Sequence, residues 1–218
     1  MGIKRTSREY QKKWLMENSN LKILDLGCSN ITYWNEANHF ADIFDYEEEF
    51  KKKNLTFTQI KSGENLPFKD KEFDYVILSH VLEHVPNILE FKQEVERIAK
   101  SGYIELPTKL ADNIVFDFVE DEIGHKWWLE FDDVNQNLIY SKKINFLQQF
   151  ISVGSLKHLQ KFFDDSFNLQ LYWEDIIDLK ERKSYQSDIK FSFLDIQRKY
   201  YGKKIRLLKS KIKKFFKV

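Results

Sequence analysis

Cysteine, glycine and proline are scarce in this sequence, and long apolar runs are missing. The only cysteine, Cys28, excludes an internal disulfide and any zinc site built from several cysteines. Seven glycines and three prolines in 218 residues exclude a collagen-like chain and argue against extended disorder. No apolar run approaches the roughly 20 residues of a membrane helix, and the first residues lack the apolar segment of a signal peptide. These absences predict a globular, cytoplasmic protein.

The abundant residues support a folded core. Of the 218 residues, 42% are apolar and 16% are aromatic, which is enough for one domain with additional elements. The patterning predicts a single large domain between an N-terminal helix and a basic C-terminal extension. The predicted boundaries are 1–20 for the helix, 21–180 for the domain, with halves 21–108 and 109–180, and 181–218 for the extension.

Five short apolar segments have the character of buried strands. They are LKILDLGC at 21–28, NHFADIFDY ending near Asp45, LTFTQI at 55–60, FDYVILS at 73–79 and GYIELP at 102–107. A continuous apolar run is typical of a strand that is covered on both faces, as in a parallel sheet.

Amphipathic segments between these strands predict helices. Residues 7–18 have the spacing of a short helix, and PNILEFKQEVERIAK carries apolar residues at intervals of 3, 4 and 3, between Pro86 and the Ser101–Gly102 pair. Alternating strands and helices predict an α/β fold: a doubly wound, Rossmann-like, mostly parallel sheet with helices on both faces.

The second half of the chain has a different pattern. GHKWWLEFDDVNQNLIYSKK predicts a β-hairpin with its turn around Asp133–Asn137, SLKHLQKFFDDS a helix from Ser155, and NLQLYWEDII a further strand. We expect this half to complete the sheet and to cover its ligand edge.

Polar or glycine-containing loops follow the first four strands. They are DLGCSN at 25–30, the residues at Asp45, SGENLPF at 62–68 and SHVLEHV at 79–85. Because the carboxyl ends of parallel strands meet at one edge of a sheet, these loops are expected to form a ligand site.

The ordered set of segments resembles the class I S-adenosylmethionine-dependent methyltransferases, in particular the small methyltransferase-domain group with DxGC, LPF, FD and LEHV signatures. The matching pieces are LDLGC, ENLPFKDKEFDYVILSHVLEHV and ERIAKSGYIELP, all within residues 20–108. The resemblance implies S-adenosylmethionine as cofactor and methyl transfer as reaction.

The resemblance also implies roles for individual residues. Gly27 would let the backbone amides approach the methionyl carboxylate, and Asp25 would anchor this loop or meet the methionyl amine. Asp45 would accept hydrogen bonds from the ribose hydroxyls, with Asp42 as the runner-up. The other predicted cofactor-binding residues are Cys28 and Ser29 in the first loop, Gly63, Glu64 and Leu66 beside the adenine, and Ser79 and His80 beside the methionine portion.

Two histidines are the predicted catalytic residues, His80 and His125. The sulfonium is already activated, so catalysis consists mainly of aligning the acceptor, and a general base is needed only for a hydroxyl or a protonated amine. His84 and Tyr33 are further candidates, although His84 is expected to cap or pack the following helix. The tryptophans at 127 and 128 suit a flat acceptor or a sugar, and equally suit a hairpin packed on the core.

SHVLEHV also contains the H-x-x-E-H spacing of some zinc peptidases, in which His80 and His84 would bind zinc and Glu83 would act as general base. That arrangement needs both histidines on one helical face. A strand reaches Ser79 and Pro86 precedes the next helix, so this face is not expected and no metal site is predicted.

The first loop departs from the family pattern. Ser29 and Ile31 stand where relatives usually have glycines, and residues 30–40 are short for a crossover helix. A second hypothesis is therefore a degenerate methyltransferase domain that acts as a non-catalytic binding module.

Residues 198–218 contain ten Lys or Arg and no acid, whereas the preceding 197 residues hold 25 bases and 34 acids. The tail also has an apolar stripe, formed by Ile205, Leu208, Ile212 and Phe215. This pattern is typical of a helix on an anionic membrane surface, and it also fits a helix docked on its own domain or on a second subunit. The stripe argues against nucleic acid as the partner.

Together these features predict methyl transfer to a small molecule or to a sugar or polysaccharide precursor, with the protein peripheral to the inner membrane face. The sequence does not predict the acceptor atom or the oligomeric state.

Overall fold

A computed structural model describes residues 2–114, 124–143 and 166–182 of the chain. Within these ranges there are ten strands and four helices. In chain order they are β1 Ile3–Arg5, α1 Arg8–Glu17, β2 Ile23–Leu26, β3 His39–Asp42, α2 Glu47–Lys52, β4 Thr56–Gln59, β5 Phe73–Ser79, α3 Ile88–Ile98, β6 Ala99–Pro107, α4 Lys109–Ile114, β7 Trp127–Asp132, β8 Asn137–Lys142, β9 Asn168–Glu174 and β10 Leu179–Glu181.

Seven strands form the main sheet, in the order β1-β9-β6-β5-β2-β3-β4. The strands from β6 to β4 in this order pair in parallel. Strand β9 pairs antiparallel with β6 and β1 pairs antiparallel with β9, so among these seven strands β9 alone runs against the others. This confirms the predicted Rossmann-like, mostly parallel α/β architecture, with the sheet more mixed than the first half of the sequence implied.

The chain adds strands to opposite sides of the sheet on the two sides of the parallel pair β2 and β5. From β2 the chain proceeds through β3 to β4 on one side, whereas β5 leads to β6 and β9 on the other. The two central strands are paired in register, with Asp25 opposite Ile77. Ligands of open α/β sheets bind in the crevice at the carboxyl ends of such a pair.

The N-terminal segment is part of this sheet's packing. Helix α1 begins after Ser7, whose hydroxyl accepts a hydrogen bond from the Tyr10 backbone N–H at 3.2 Å, a cap that contributes about 1 kcal/mol. The helix is fastened to the central strand β5, because the Tyr75 hydroxyl donates to Gln11 Oε1 at 2.6 Å. The predicted N-terminal helix is therefore confirmed, and its docking brings Arg8 to the carboxyl edge of the sheet.

Two predicted boundaries were wrong. Strand β3 ends at Asp42 rather than near Asp45, because Ile43 and Phe44 are exposed and leave the sheet. Helix α3 ends at Ile98 rather than at Ser101–Gly102, because β6 starts to pair with β5 directly at Ala99. Gly102 is thus a residue in the middle of a strand and not a helix terminator.

The second half contributes to two sheets. Strand β9 completes the main sheet beside β6, as predicted. The predicted hairpin is present as β7 and β8, with residues 133–136 as its turn, and β10 joins it to give a separate three-stranded sheet. The helix predicted from Ser155 and the basic C-terminal extension lie outside the described residues, and the predicted domain boundaries stay a prediction.

The connection between β2 and β3 contains no helix in residues 29–38. Aromatic side chains pack beside this connection instead, with Trp34 against Tyr103 and Tyr33 against Phe40 and Phe50, at ring-centroid distances of 5.0, 5.4 and 5.4 Å. Among the described residues, no helix combines the length and the apolar character needed to span a membrane.

Candidate cofactor cleft

A cleft of about 730 Å³ lies where β2 and β5 end, within the size range of small-molecule sites. Its lining comes from the loops after these strands, from the start of α1 and from the ends of β6 and β9. The lining residues are Arg8, Asp25, Gly27, Cys28, Thr32, Tyr33, Trp34, Ser79, His80, Glu105 and Asn168.

The floor of the cleft includes a glycine that tolerates no side chain. Gly27 has a φ of +81°, and a Cβ at this position would lie 2.5 Å from Val81 Cγ2. Its N–H donates to the carbonyl of Ala41 at 2.8 Å, so the loop bends over the end of β3. Only glycine combines this backbone conformation with this close approach.

Asp25 is a buried carboxylate at the end of β2. Its side chain is 3% exposed, and Oδ2 accepts a hydrogen bond from the Trp34 backbone N–H at 2.7 Å. Burial raises the pKa of Asp25 to about 7, although the Trp34 N–H and the charge of Arg8 oppose the shift. A carboxylate in this setting favours a cationic neighbour.

The two acids predicted for the ribose are placed differently. Asp42 is the last residue of β3, is buried, and accepts a hydrogen bond from the Phe44 N–H at 2.8 Å. Burial raises the pKa of Asp42. Asp45 lies beyond the strand, is exposed, and accepts from the Glu47 N–H at 3.0 Å at the start of α2.

His80 is held between two buried carboxylates. Its Nδ1 lies 3.3 Å from Glu83 Oε1 and its Nε2 lies 3.4 Å from Glu105 Oε1, while 43% of its side chain is exposed. Burial opposes protonation of the ring, but the two carboxylates outweigh it and raise the pKa of His80. Both ring nitrogens therefore face acids of the protein, and the backbone adopts a positive φ of 59° to place the ring there.

Glu105 is the centre of this polar group. It is 2% exposed and accepts hydrogen bonds from Arg8 Nη1 at 2.9 Å and from the Tyr103 hydroxyl at 2.5 Å. The guanidinium of Arg8 also lies over the Trp34 ring, 4.8 Å from its centroid. These contacts order a positively charged side chain at the mouth of the cleft.

The cleft contains a donor with no partner. Trp34 is 2% exposed, and its indole Nε1–H has no hydrogen-bond acceptor among the described residues. An unpaired buried donor costs about 1–3 kcal/mol, so a ligand that supplies an acceptor here gains from it.

The structure brings together about half of the predicted site residues. Asp25, Gly27, Cys28, Ser79 and His80 line the cleft. The remaining predicted residues do not line it; they are Ser29, Asp45, Gly63, Glu64, Leu66 and His125. Leu66 is 2% exposed in the core, and the Ser29 hydroxyl accepts from the Thr32 N–H at 2.8 Å in a tight turn.

Sequence reasoning missed the contributions of Arg8, Thr32, Trp34, Glu105 and Asn168. Only Glu105 left a signal in the sequence, because an acid within the apolar strand YIELP must have partners to be buried. Arg8 and Asn168 reach the cleft through tertiary packing of elements far apart in the chain, which no local pattern reveals.

The reversal of strand order and the position of the cleft define an α/β domain with a cleft at its switch point, the place where such sheets bind nucleotide-type cofactors. The sequence model of the family described as "Methyltransferase domain" matches residues 24–104. Over residues 24–104 the chain therefore matches a class I S-adenosylmethionine-dependent methyltransferase domain, as the sequence resemblance predicted, and this family implies S-adenosylmethionine as cofactor.

Two curated proteins illustrate the similarity. An uncharacterised protein of Methanocaldococcus jannaschii is 26% identical over 182 residues, which is 80% of this chain and 77% of that protein. The demethylmenaquinone methyltransferase of Staphylococcus saprophyticus is 30% identical over 112 residues, 45% of this chain. The match spans 48% of that enzyme's length. Among solved structures, a protein of Pyrococcus horikoshii has a TM-score of 0.45 and 17% identity, over 78% of this chain and 92% of that one.

The residues of the cleft fit the chemistry of this cofactor. The buried carboxylate of Asp25 in the cleft and that of Asp42 at the neighbouring strand end, outside the cleft lining, suit an ammonium group and ribose hydroxyls. Arg8 and the unpartnered Trp34 indole suit a carboxylate. The resemblance implied backbone amides near Gly27 as partners of this carboxylate, whereas the cleft also holds Arg8 from α1 and Trp34 from the connection after β2.

Proposed function

We propose that this protein transfers the methyl group of S-adenosylmethionine to a small-molecule acceptor, with sugars and polysaccharide precursors as the first class to test. The observation that carries the proposal is the cleft at the switch point, which is lined by the buried carboxylate of Asp25 and by the tight turn at Gly27. Bound S-adenosylmethionine supplies an electrophilic methyl group on a sulfonium.

The protein's own residues would bind S-adenosylmethionine and orient it. We assign Asp25 to the methionyl amine, Arg8 to the methionyl carboxylate and Asp42, rather than Asp45, to the ribose hydroxyls. Asp42 is preferred because it is buried at the strand end beside the Gly27 loop, whereas Asp45 is exposed and engaged with α2. His80 is assigned a positioning role, since both of its ring nitrogens face carboxylates.

The tryptophans of the hairpin offer limited support for a stacked sugar. The Trp127 indole donates to the Val85 carbonyl at 2.8 Å and the Trp128 indole donates to Asp112 Oδ2 at 2.7 Å. Trp127 also packs against Tyr140, with ring centroids 5.5 Å apart. Both are held in place by the fold, so the acceptor class rests on the sequence resemblance and on the basic tail.

Calorimetry with S-adenosylhomocysteine tests the cofactor assignment. Asp42→Asn is expected to weaken binding about 10- to 100-fold, because hydrogen bonds to a charged acceptor contribute about 1.5–3 kcal/mol each. Asp45→Asn is the matched control and should leave affinity within about twofold, as expected for an exposed acid. Equal losses in both variants, or a larger loss for Asp45→Asn, would reverse the assignment.

A non-catalytic binding module is the second candidate. It is favoured by the loop after β2, where Ser29 and Ile31 replace glycines and no helix follows in residues 29–38. The same calorimetry separates the two candidates. If the folded protein does not bind S-adenosylmethionine at millimolar concentration, it is a binding module. If it binds S-adenosylmethionine but methylates none of the acceptors offered, the proposed acceptor class is wrong and the cofactor assignment stands.

We also propose that residues 198–218 bind an anionic membrane surface, on the basis of their ten basic residues and apolar stripe. The full-length protein is expected to co-sediment with vesicles containing phosphatidylglycerol and not with neutral phosphatidylcholine vesicles. Replacing the stripe by serine keeps the charge but removes the apolar face, and should abolish most of the binding. Unchanged binding of that variant would indicate simple charge attraction, and no binding by the full-length protein would end the proposal.

A further inference from the structure

A cluster of one carboxylate and two imidazoles lies beside the cleft, at the turn after β5. Glu83, His84 and His125 each offer a ligand atom, and these atoms all lie within 4.8 Å of one another. We propose that these three residues bind a divalent transition-metal ion, of which Zn²⁺ is the representative. Ion binding at this cluster is independent of the methyl-transfer proposal.

The carboxylate of Glu83 is the strongest indication of a missing cation. Its side chain is 1% exposed, and neither oxygen has a hydrogen-bond donor among the described residues. His80 Nδ1, at 3.3 Å from Oε1, is an ion-pair contact that is not aligned as a hydrogen bond. A buried carboxylate is costly unless it is paired or coordinates a metal, and the one cationic partner of Glu83 among the described residues, His80, is shared with Glu105.

His125 is oriented as metal-binding histidines commonly are. Its Nδ1 lies 2.5 Å from Asp112 Oδ1, so Nε2 is the atom that remains for a ligand. Asp112 is itself 7% exposed and is fixed by Lys143 Nζ at 3.0 Å and by the Trp128 indole N–H at 2.7 Å. A carboxylate that accepts the far N–H of an imidazole fixes its tautomer and raises its basicity toward a metal.

The two segments that carry the ligands are fastened together by the backbone. The Glu83 carbonyl accepts from the N–H groups of Lys126 and Trp127 at 2.6 and 3.2 Å. The rings of His84 and His125 then meet edge to face, with centroids 4.5 Å apart. The ligand set is therefore assembled by hydrogen bonds that do not involve the ligand atoms, which lowers the ordering cost of binding an ion.

The donor set indicates which ions would bind. Two imidazoles and one carboxylate are the protein ligands of several catalytic zinc sites, which keep a further position open. Imidazole favours Zn²⁺, Fe²⁺ and neighbouring transition ions, whereas Mg²⁺ prefers oxygen ligands and retains its waters. We therefore expect Zn²⁺ to bind much more tightly than Mg²⁺.

The set Glu83, His84 and His125 differs from the set of zinc ligands that the H-x-x-E-H spacing suggests. There His80 would be a ligand and Glu83 a base, and both histidines would need a helical face. Here Glu83 is itself a ligand, a turn is sufficient, and the third ligand comes from the segment before β7. The sequence pattern does not reveal this set of ligands, because the approach of His125 to Glu83 and His84 is a tertiary contact.

The position of the cluster gives the ion a role if the proposed function holds. His80 lines the cleft and contacts Glu83, so the ion would lie one side chain from the cofactor site. Its open position suits a hydroxyl oxygen of the acceptor, whose pKa it would lower. The hydroxyl proton leaves to solvent, an oxygen lone pair forms the bond to the methyl carbon, and the bond from that carbon to sulfur breaks.

Metal titration of the full-length, chelator-treated protein tests the site. Calorimetry with Zn²⁺ should give about one equivalent, which elemental analysis after gel filtration should confirm. Glu83→Gln and His125→Asn are each expected to weaken binding more than about 100-fold, and Asp112→Asn about 10- to 100-fold. His39→Asn removes a histidine at the opposite, amino end of β3 and should leave binding unchanged.

Thermal unfolding in the presence and absence of Zn²⁺ provides the second readout. Zn²⁺ should raise the melting temperature of the wild type and of His39→Asn, but not that of Glu83→Gln, because an ion that binds only the native state stabilises it. Absence of Zn²⁺ binding to the folded wild type, or equal binding by Glu83→Gln, would overturn the proposal. Binding of S-adenosylhomocysteine by the wild-type protein is measured separately, so failure here is distinguishable from failure of the proposed function.

Discussion

Gly102→Ala is expected to lose about 3–5 kcal/mol of folding stability, at the upper end for a substitution that adds one carbon. A Cβ on Gly102 would lie 2.2 Å from the Val76 carbonyl oxygen and 2.7 Å from Trp173 Nε1. Val76 belongs to the central strand β5 and Trp173 is 0% exposed. The added carbon must therefore push strands of the main sheet apart, since neither neighbour is a flexible side-chain end.

The measurement compares the free energy of unfolding of Gly102→Ala, from urea denaturation, with that of Gly2→Ala. Gly2 is the matched control, because a Cβ there would meet nothing within 4 Å. We expect the control to lie within about 0.5 kcal/mol of the wild type. A Gly102→Ala protein that unfolds at the wild-type midpoint would show that the close packing of β5, β6 and β9 is not as tight as described.

Asp25→Asn is expected to change stability and cofactor affinity in opposite directions. Burial raises the pKa of Asp25 from 3.8 to about 7 in the folded protein. Between these values the unfolded chain is ionised and the native carboxyl is protonated, so the unfolded state binds fewer protons. The stability of the apo protein therefore falls as pH rises from about 4 to 7 and is flat above, a loss of about 4 kcal/mol from this group.

Asparagine keeps an oxygen to accept the Trp34 N–H but cannot ionise. The free energy of unfolding of the variant should therefore lack this slope, and the variant should exceed the wild type by up to about 4 kcal/mol at pH 8. Denaturation at several pH values between 5 and 8 measures the difference. If the difference between variant and wild type does not change with pH, Asp25 does not titrate in this range.

The affinity for the cofactor should show the opposite dependence on pH. If Asp25 meets the methionyl amine as proposed, wild-type affinity rises about tenfold per pH unit below 7 and levels off above, because only the carboxylate attracts a cation. The Asp25→Asn protein should bind weakly, with no such rise. A variant that is more stable but binds less well is what a strained, desolvated site predicts.

The sequence predicted the framework of the domain well. The strands at 23–26 and 73–79 are continuous apolar runs, and α3 has a clear 3.6-residue period, so each is determined by local pattern. The ordered loops then placed Asp25, Gly27 and Ser79 at one edge, where the structure has them.

What the sequence could not provide is the result of tertiary contacts. Strand β1 has only three residues and is defined by its pairing with β9. The end of β3 at Asp42 depends on its register with β4, where Asp42 lies opposite Gln59. The prediction of Asp45 came from counting residues along the chain from Asp25. Strand β3 stops pairing with β4 at Asp42, three residues earlier, and no count of residues reveals where pairing ends.

The polar group around Glu105 has a consequence for how this sequence can change over evolutionary time. Arg8, Tyr103 and His80 all depend on one buried carboxylate, and removing it would leave a guanidinium, a hydroxyl and an imidazole without their shared acceptor. Single changes at these positions are therefore penalised more than combined ones. A lineage that replaces Glu105 is expected to have replaced Arg8 as well, so drift at the mouth of this cleft proceeds in linked steps.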